Sequence, residues 1–136
     1  MNIIPWKKEL EIGIELIDKQ HKEFLMNVNK FIIRVRAKKE VFAITEHLDF
    51  LEYYLLSHFQ AEETFQFESG YPKYLEHQAE HKHLKFKVKE ISILLKTHDF
   101  SEASIDEFCK FINHWVVGHM LKGDLDFAKY YNSLKK

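Results

Sequence analysis

Turn-forming residues are scarce in this chain. Among its 136 residues there are four glycines and two prolines, which leaves almost no turn chemistry and implies long helices with few connections. The lone cysteine, Cys109, excludes an internal disulfide and suits a reducing compartment. Neither sign of charge dominates: 20 Lys and Arg against 21 Asp and Glu offer no electrostatic footprint for nucleic acid. No apolar run approaches the ~20 residues of a membrane span. The start, "MNIIPWKKELE", turns charged too early for a secretory signal. A cytoplasmic protein with no membrane partner is the expectation. At 46% hydrophobic and 15% aromatic the chain is no candidate for disorder and can bury the core of one domain.

Histidine is what the chain has in excess, with nine. Helical seams show where they fall, because apolar residues on one face recur in alternating steps of three and four. The first seam runs Ile17, His21, Phe24, Val28, Phe31, Val35, and the second runs Leu51, Leu55, His58, Glu62, Phe65. The third runs Tyr74, His77, His81, Leu84, Val88, Ile91, Leu95, and the fourth runs Ile105, Phe108, Ile112, Trp115, His119. Four seams predict an all-α, up-down-up-down antiparallel four-helix bundle spanning 1–136, with helices over roughly 18–38, 41–66, 72–97 and 104–132. Asp18 is the expected cap of the first helix, Pro72 opens the third, and Ser104 with Glu107 has capping-box spacing for the fourth. Residues 1–16, with Pro5 and Gly13, read as an irregular arm lying on the bundle.

Each seam carries polar side chains able to bind metal. A single buried histidine is explained by one hydrogen bond, but His21, His58, Glu62, His77, His81 and His119 lie in seams on all four helices. Burying them needs a common compensation, and a metal site between facing helices supplies one. His58 with Glu62, and His77 with His81, stand four apart, so each pair lies on one face within reach of a shared ion. Asp124 brings the donors to seven, more than one octahedral ion can hold. If two ions are present and both carboxylates bridge, a solvent-derived bridge leaves one coordination position open. Imidazole suits Fe, Zn, Cu and Ni, so ligand type alone does not choose the element.

Asp124 fits this scheme only if its helix is irregular. In "HWVVGHMLKGD" it follows His119 by five residues, and residues five apart on a regular helix point about 140° away from each other. The apolar phase slips by about one residue here: steps onward from His119 reach Lys122, Asp126 and Lys129, whereas steps from Asp124 reach Phe127 and Tyr131. A π-bulge adds one residue in this way and is frequent at functional sites.

The segments "DKQH", "HFQAEE", "YPKYLEHQAEH" and "HWVVGHMLKGD" resemble, in order and spacing, the ligand motifs of the hemerythrins, and "WKKELEIGIELIDKQH" resembles their bacterial branch. The resemblance spans essentially the whole chain. It implies an oxo- or hydroxo-bridged pair of non-haem Fe ions. By it, His77, His81 and His119 hold one iron, His21 and His58 the other, and Glu62 and Asp124 bridge. The iron with two histidines keeps the open position. The implied function is reversible O₂ binding for storage, delivery or sensing, with O₂ held as hydroperoxide at the open position. NO or small anions such as azide are further possible ligands. The protein is expected to be a monomer with no fused signalling domain.

An apolar pocket should surround the open position, and Leu25, Phe59, Phe111 and Trp115 are its expected lining, with plain core packing as the alternative for each. His47, His83 and His98 are expected at the solvated surface. His114, one residue off its seam, is expected to be exposed or to support a ligand, and Glu63 to face solvent or such a partner. Cys109 reads as a buried thiol. A redox enzyme (peroxidase, oxidase or nitric oxide-handling) is the second functional reading. Oxygen-activating enzymes in ferritin-like bundles favour Glu-x-x-His pairs, and none occurs in a seam here. A di-zinc hydrolase ranks third, for want of a substrate cleft.

Overall fold

The structure, a computed structural model, describes residue 4 and residues 6–135, apart from the Trp115 side chain. A short 3₁₀ turn, Lys8–Leu10, precedes the helices α1 (Glu15–Arg36), α2 (Val41–Glu68) and α3 (Tyr74–Thr97). The last rod is helical throughout residues 102–133. It starts as α4 (Glu102–Phe111), passes through two π-helical stretches, Ile112–Val117 and Met120–Asp124, and finishes as α5 (Leu125–Ser133). Successive helices pack side by side, α1 on α2, α2 on α3 and α3 on α4, as the short connections of an antiparallel four-helix bundle require. None of the described helices is long and apolar enough to cross a membrane.

Three helix starts differ from the sequence expectation: α3 begins at Tyr74, with Pro72 in the turn before it, and α1 and α4 begin earlier than expected. α1 begins at Glu15, and Asp18 lies inside its first turns, accepting the backbone N–H groups of Ile12 at 2.8 Å and Gly13 at 3.2 Å. Asp18 therefore ties the arm to the helix and does not cap it. For α4 the cap is Ser101, whose Oγ accepts the N–H of Ser104 at 3.2 Å. Ser104 is the third helical residue of that cap. Both helices start earlier because the arm and the α3–α4 turn supply partners that seam spacing does not reveal.

The arm is anchored by a reciprocal pair: Ile4 N–H to Asn29 Oδ1 at 2.8 Å, and Asn29 Nδ2 to the Ile4 carbonyl at 2.7 Å. Gly13 has φ +98°, a conformation that L side chains rarely adopt, and an added Cβ would also meet Asn132 Nδ2 at 3.1 Å. Ile12 and Ile14 on either side are buried with Ile17, Tyr71 and Phe127 in a small apolar cluster. The main core, from Phe24 and Val28 to Ile105 and Phe108, is a separate cluster. Ile17 and Phe24 flank His21 along α1, so the layer between the two clusters holds the buried polar side chains.

Candidate metal centre

That layer contains His21, His58, Glu62, His77, His81, His119 and Asp124, all buried. The heptad-like steps of three and four bring one donor face of each helix to the bundle axis, so the seven side chains meet although they span 21–124 in sequence. They form two groups, each with ligand atoms within 4.8 Å of one another: Glu62, His77, His81, His119, Asp124, and His21, His58, Glu62, Asp124. Glu62 and Asp124 belong to both. Every imidazole presents its Nε2 to the layer. His77 Nε2 is 2.7 Å from Glu62 Oε1, His81 Nε2 is 3.1 Å from the same atom, and His119 Nε2 is 3.0 Å from Asp124 Oδ1. On the other side His21 Nε2 lies 3.1 Å from Asp124 Oδ2 and 3.0 Å from His58 Nε2.

Close approach does not bring hydrogen bonds for all. Both oxygens of Asp124 and Oε2 of Glu62 are buried with no aligned donor. A carboxylate buried without donors is costly, and a cation among it and five facing imidazole nitrogens removes that cost. The donor set therefore fits divalent transition metal, since imidazole suits Fe, Zn, Cu and Ni alike.

Without a cation, protons do part of its work. Burial pushes the two histidines of the three-histidine group down, but Asp124 and Glu62 outweigh it and hold His77 up at about 9 and His119 at about 12. Burial would raise both carboxyls, yet the surrounding imidazoles hold Glu62 and Asp124 below their ordinary range. His58 is pushed down to about 4, chiefly by burial, so it is a neutral ligand. Two carboxylates balanced by two imidazoliums is the arrangement that two metal charges would replace.

Outer partners orient the rings from behind. His58 Nδ1 is 2.6 Å from Gln20 Oε1, His81 Nδ1 is 2.8 Å from Glu63 Oε2, and His119 Nδ1 is 3.4 Å from Glu80 Oε1. Glu63 is itself buried, so of its two expected surroundings it takes the partner and not solvent. Gln20 and Glu80 were not singled out from sequence. A signal existed in "DKQH" and "HQAEH", where each sits immediately before a histidine of the cluster. Gln66, fully buried with neither amide atom paired, was also missed.

Beside the two-histidine group lies a cavity of about 10 Å³, lined by Gln20, His21, His58, His119 and Asp124 together with Phe24, Leu55, Phe59, Leu84, Val116 and Met120. That is about the volume of one small molecule such as a single water. Phe59 lies on it and stacks on the His81 ring at 4.3 Å. Leu25 does not line it but is buried in the main core. Phe111 borders a separate apolar cavity between α2, α3 and α4, and the Trp115 side chain lies outside the described residues. The missed lining has a simple rule: Phe24 follows His21 by three, Leu84 follows His81 by three, Leu55 precedes His58 by three, and Val116 precedes His119 by three. In an antiparallel bundle those opposite offsets all point to one end of the metal layer.

The π-helical stretch anticipated between His119 and Asp124 is present at Met120–Asp124, and it brings Asp124 and His119 to the same centre. A second stretch, Ile112–Val117, leads into His119 and was not anticipated. Of the remaining histidines, His83, His98 and His114 are exposed, whereas His47 is half-buried, edge-on to Phe31 at 5.7 Å. Its imidazole is pushed down by burial and then by Arg34, which corrects the surface expectation. Cys109 is buried, and burial raises its thiol to about 11.

A helical bundle with a buried histidine–carboxylate core able to hold metal defines the class. The profile of the Hemerythrin HHE cation binding domain matches residues 12–131, and the chain belongs to the hemerythrin family. It is similar to the bacteriohemerythrin of Clostridium acetobutylicum, 29% identical over 125 residues covering 90% of this chain and 96% of that protein. It is also similar to the bacteriohemerythrin of Methylococcus capsulatus, 31% identical over 126 residues, covering 91% and 93%. The crystal structure of a hemerythrin variant carrying a leucine substitution superposes with a TM-score of 0.80 at 27% identity, covering 96% of this chain and 98% of that one.

Proposed function

We propose that this protein binds O₂ reversibly at a pair of non-haem iron ions, acting as a monomeric oxygen store, carrier or sensor in the cytoplasm. Its family membership supports the iron. The observation that carries the reading is the two donor groups sharing Glu62 and Asp124, set against an apolar cavity with room for one small molecule. His77, His81 and His119 would hold one ion, His21 and His58 the other, and the two carboxylates would join them. Held there, ferrous iron would supply the reversible redox chemistry that O₂ binding needs.

The chain's own residues set the terms. Three histidines and two carboxylates fill one ion's surroundings, whereas the two-histidine side has fewer donors and faces the cavity. Phe24, Leu55, Phe59, Leu84, Val116 and Met120 keep water and anions from that side, which protects the bound state from irreversible oxidation. A cavity of about 10 Å³ suits a ligand no larger than a small molecule such as O₂ or NO.

The test is the absorption spectrum of purified, reduced and re-aerated protein, with metal analysis. A visible charge-transfer band that bleaches on deoxygenation and returns over repeated cycles is expected. A colourless protein carrying two zinc ions overturns the reading, and prompt one-way conversion to ferric iron with peroxide consumption favours a redox enzyme.

A further inference from the structure

The two halves of the centre differ in what stands behind their ligands. In the three-histidine group, His81 donates from Nδ1 to the Glu63 carboxylate at 2.8 Å, and His119 faces the Glu80 carboxylate at 3.4 Å. In the two-histidine group, His58 Nδ1 meets the neutral amide oxygen of Gln20 at 2.6 Å, and His21 Nδ1 is buried with no partner. Glu63 is as buried as the ligands and is steadied by Gln78 Nε2 at 3.3 Å.

A carboxylate accepting the Nδ1 proton pulls positive charge out of the ring and makes the opposite nitrogen a stronger donor, while an amide does this weakly. Glu62 and Asp124 belong to both groups. The difference between the sites therefore comes from one more imidazole and from two carboxylate-backed imidazoles on the same side. We propose that the centre is built as one tight and one labile metal site: the three-histidine position binds first and is lost last, and Glu63 and Glu80 are the positioning residues that set the gap. The ion facing the small cavity is then the exchangeable one. This inference rests on the two-ion reading above.

The experiment is an anaerobic chelator challenge of protein loaded with Fe(II), counting retained iron at equilibrium over graded chelator concentrations. The wild-type protein should lose one ion, hold a plateau at one ion per chain, and lose the second at much higher chelator. Glu63→Gln keeps an acceptor of the same shape but removes its charge. It should bring the second loss to 10–100-fold less chelator, the usual effect of an outer partner, and leave the first loss in place. Gln20→Glu puts a carboxylate behind His58 and should move the first loss to higher chelator, narrowing the plateau from the other side. A merely structural role for Glu63 predicts no change in Glu63→Gln and none in Gln20→Glu. Two ions leaving together in wild type, or steps that neither variant moves, overturns the ranking while the two-ion reading stands. A wild-type protein that never holds two ions overturns that reading instead.

Discussion

His81 and His119 face each other through their Nε2 atoms at 3.1 Å, from α3 and from the turn of helix between the two π stretches. One proton could join that pair, but the same two nitrogens also approach Glu62 at 3.1 Å and Asp124 at 3.0 Å. No placement of protons on five rings supplies aligned donors to both oxygens of Asp124 and to Glu62 Oε2. The layer has the build of a metal site.

Removing one of its rings should therefore remove metal and not only a contact. His81→Ala is expected to leave at most one ion per chain, whereas His83→Ala, altering an exposed ring two residues on, should retain two. Elemental analysis of the two purified variants decides it; equal metal content in both would sink the ligand assignment.

Metal loading should release protons. At pH 7.5 His77, held at about 9, and His119, held at about 12, are protonated in the metal-free centre. Ions must displace both, so about two protons should appear per chain in a pH-stat, and metal affinity should rise with pH. The sign for the metal-free protein is opposite. A histidine with a raised folded pKa stabilises the fold fully below its unfolded value near 6.5, and that contribution fades as pH rises towards 9. The gap in Tm between loaded and metal-free protein should thus widen from pH 6.5 to 9. A constant gap would contradict it.

Gly118 and Gly123 bracket the histidine of the last rod and predict opposite outcomes. A Cβ at Gly123 would meet His77 Cε1 at 3.1 Å, His119 Cε1 at 3.2 Å and Glu80 Oε2 at 3.3 Å, whereas one at Gly118 meets nothing within 4 Å. Gly118→Ala should stabilise the helix by up to about 1 kcal/mol and keep the metal. Gly123→Ala should push two rings out of place and weaken metal retention. Thermal unfolding with iron analysis of both variants tests the pair, and loss of metal in Gly118→Ala alone would refute the geometry.

Leu55 borders both the small cavity at the metal layer and the larger apolar one beyond it. Leu55→Ala should join them, cost about 2–5 kcal/mol in denaturant unfolding, and admit water to the two-histidine side. Faster loss of the oxygenated spectrum to a ferric one is expected. An unchanged rate in a variant destabilised by that amount would show that Leu55 does not exclude water.

Much of this was legible in one dimension. A bundle seam is apolar by necessity, so a histidine at a seam position stands out, and His21, His58, His77, His81 and His119 were found that way. Glu62 was found by the same rule, and Asp124 by the phase slip that the Met120–Asp124 π stretch embodies. Helix ends were less legible. Asp18 and Ser104 have the chemistry of caps, but their side chains bond backbone groups of the arm and the carbonyl of Ser101.

What the sequence determined by itself was the periodicity: four apolar faces and the polar residues that interrupt them, because burial of a face acts on residues three and four apart within one helix. What only tertiary structure decided was everything set by neighbours from another helix. Glu63 and Gln20 stand behind ligands 18 and 38 residues away. The cavity wall draws Phe24, Leu55, Leu84 and Val116 from four helices, at offsets whose sign depends on each helix's direction. Spacing along a chain specifies which side of its own helix a residue occupies. The distance across to the facing helix, where hydrogen bonds and cavities are made, exists only once the helices have packed.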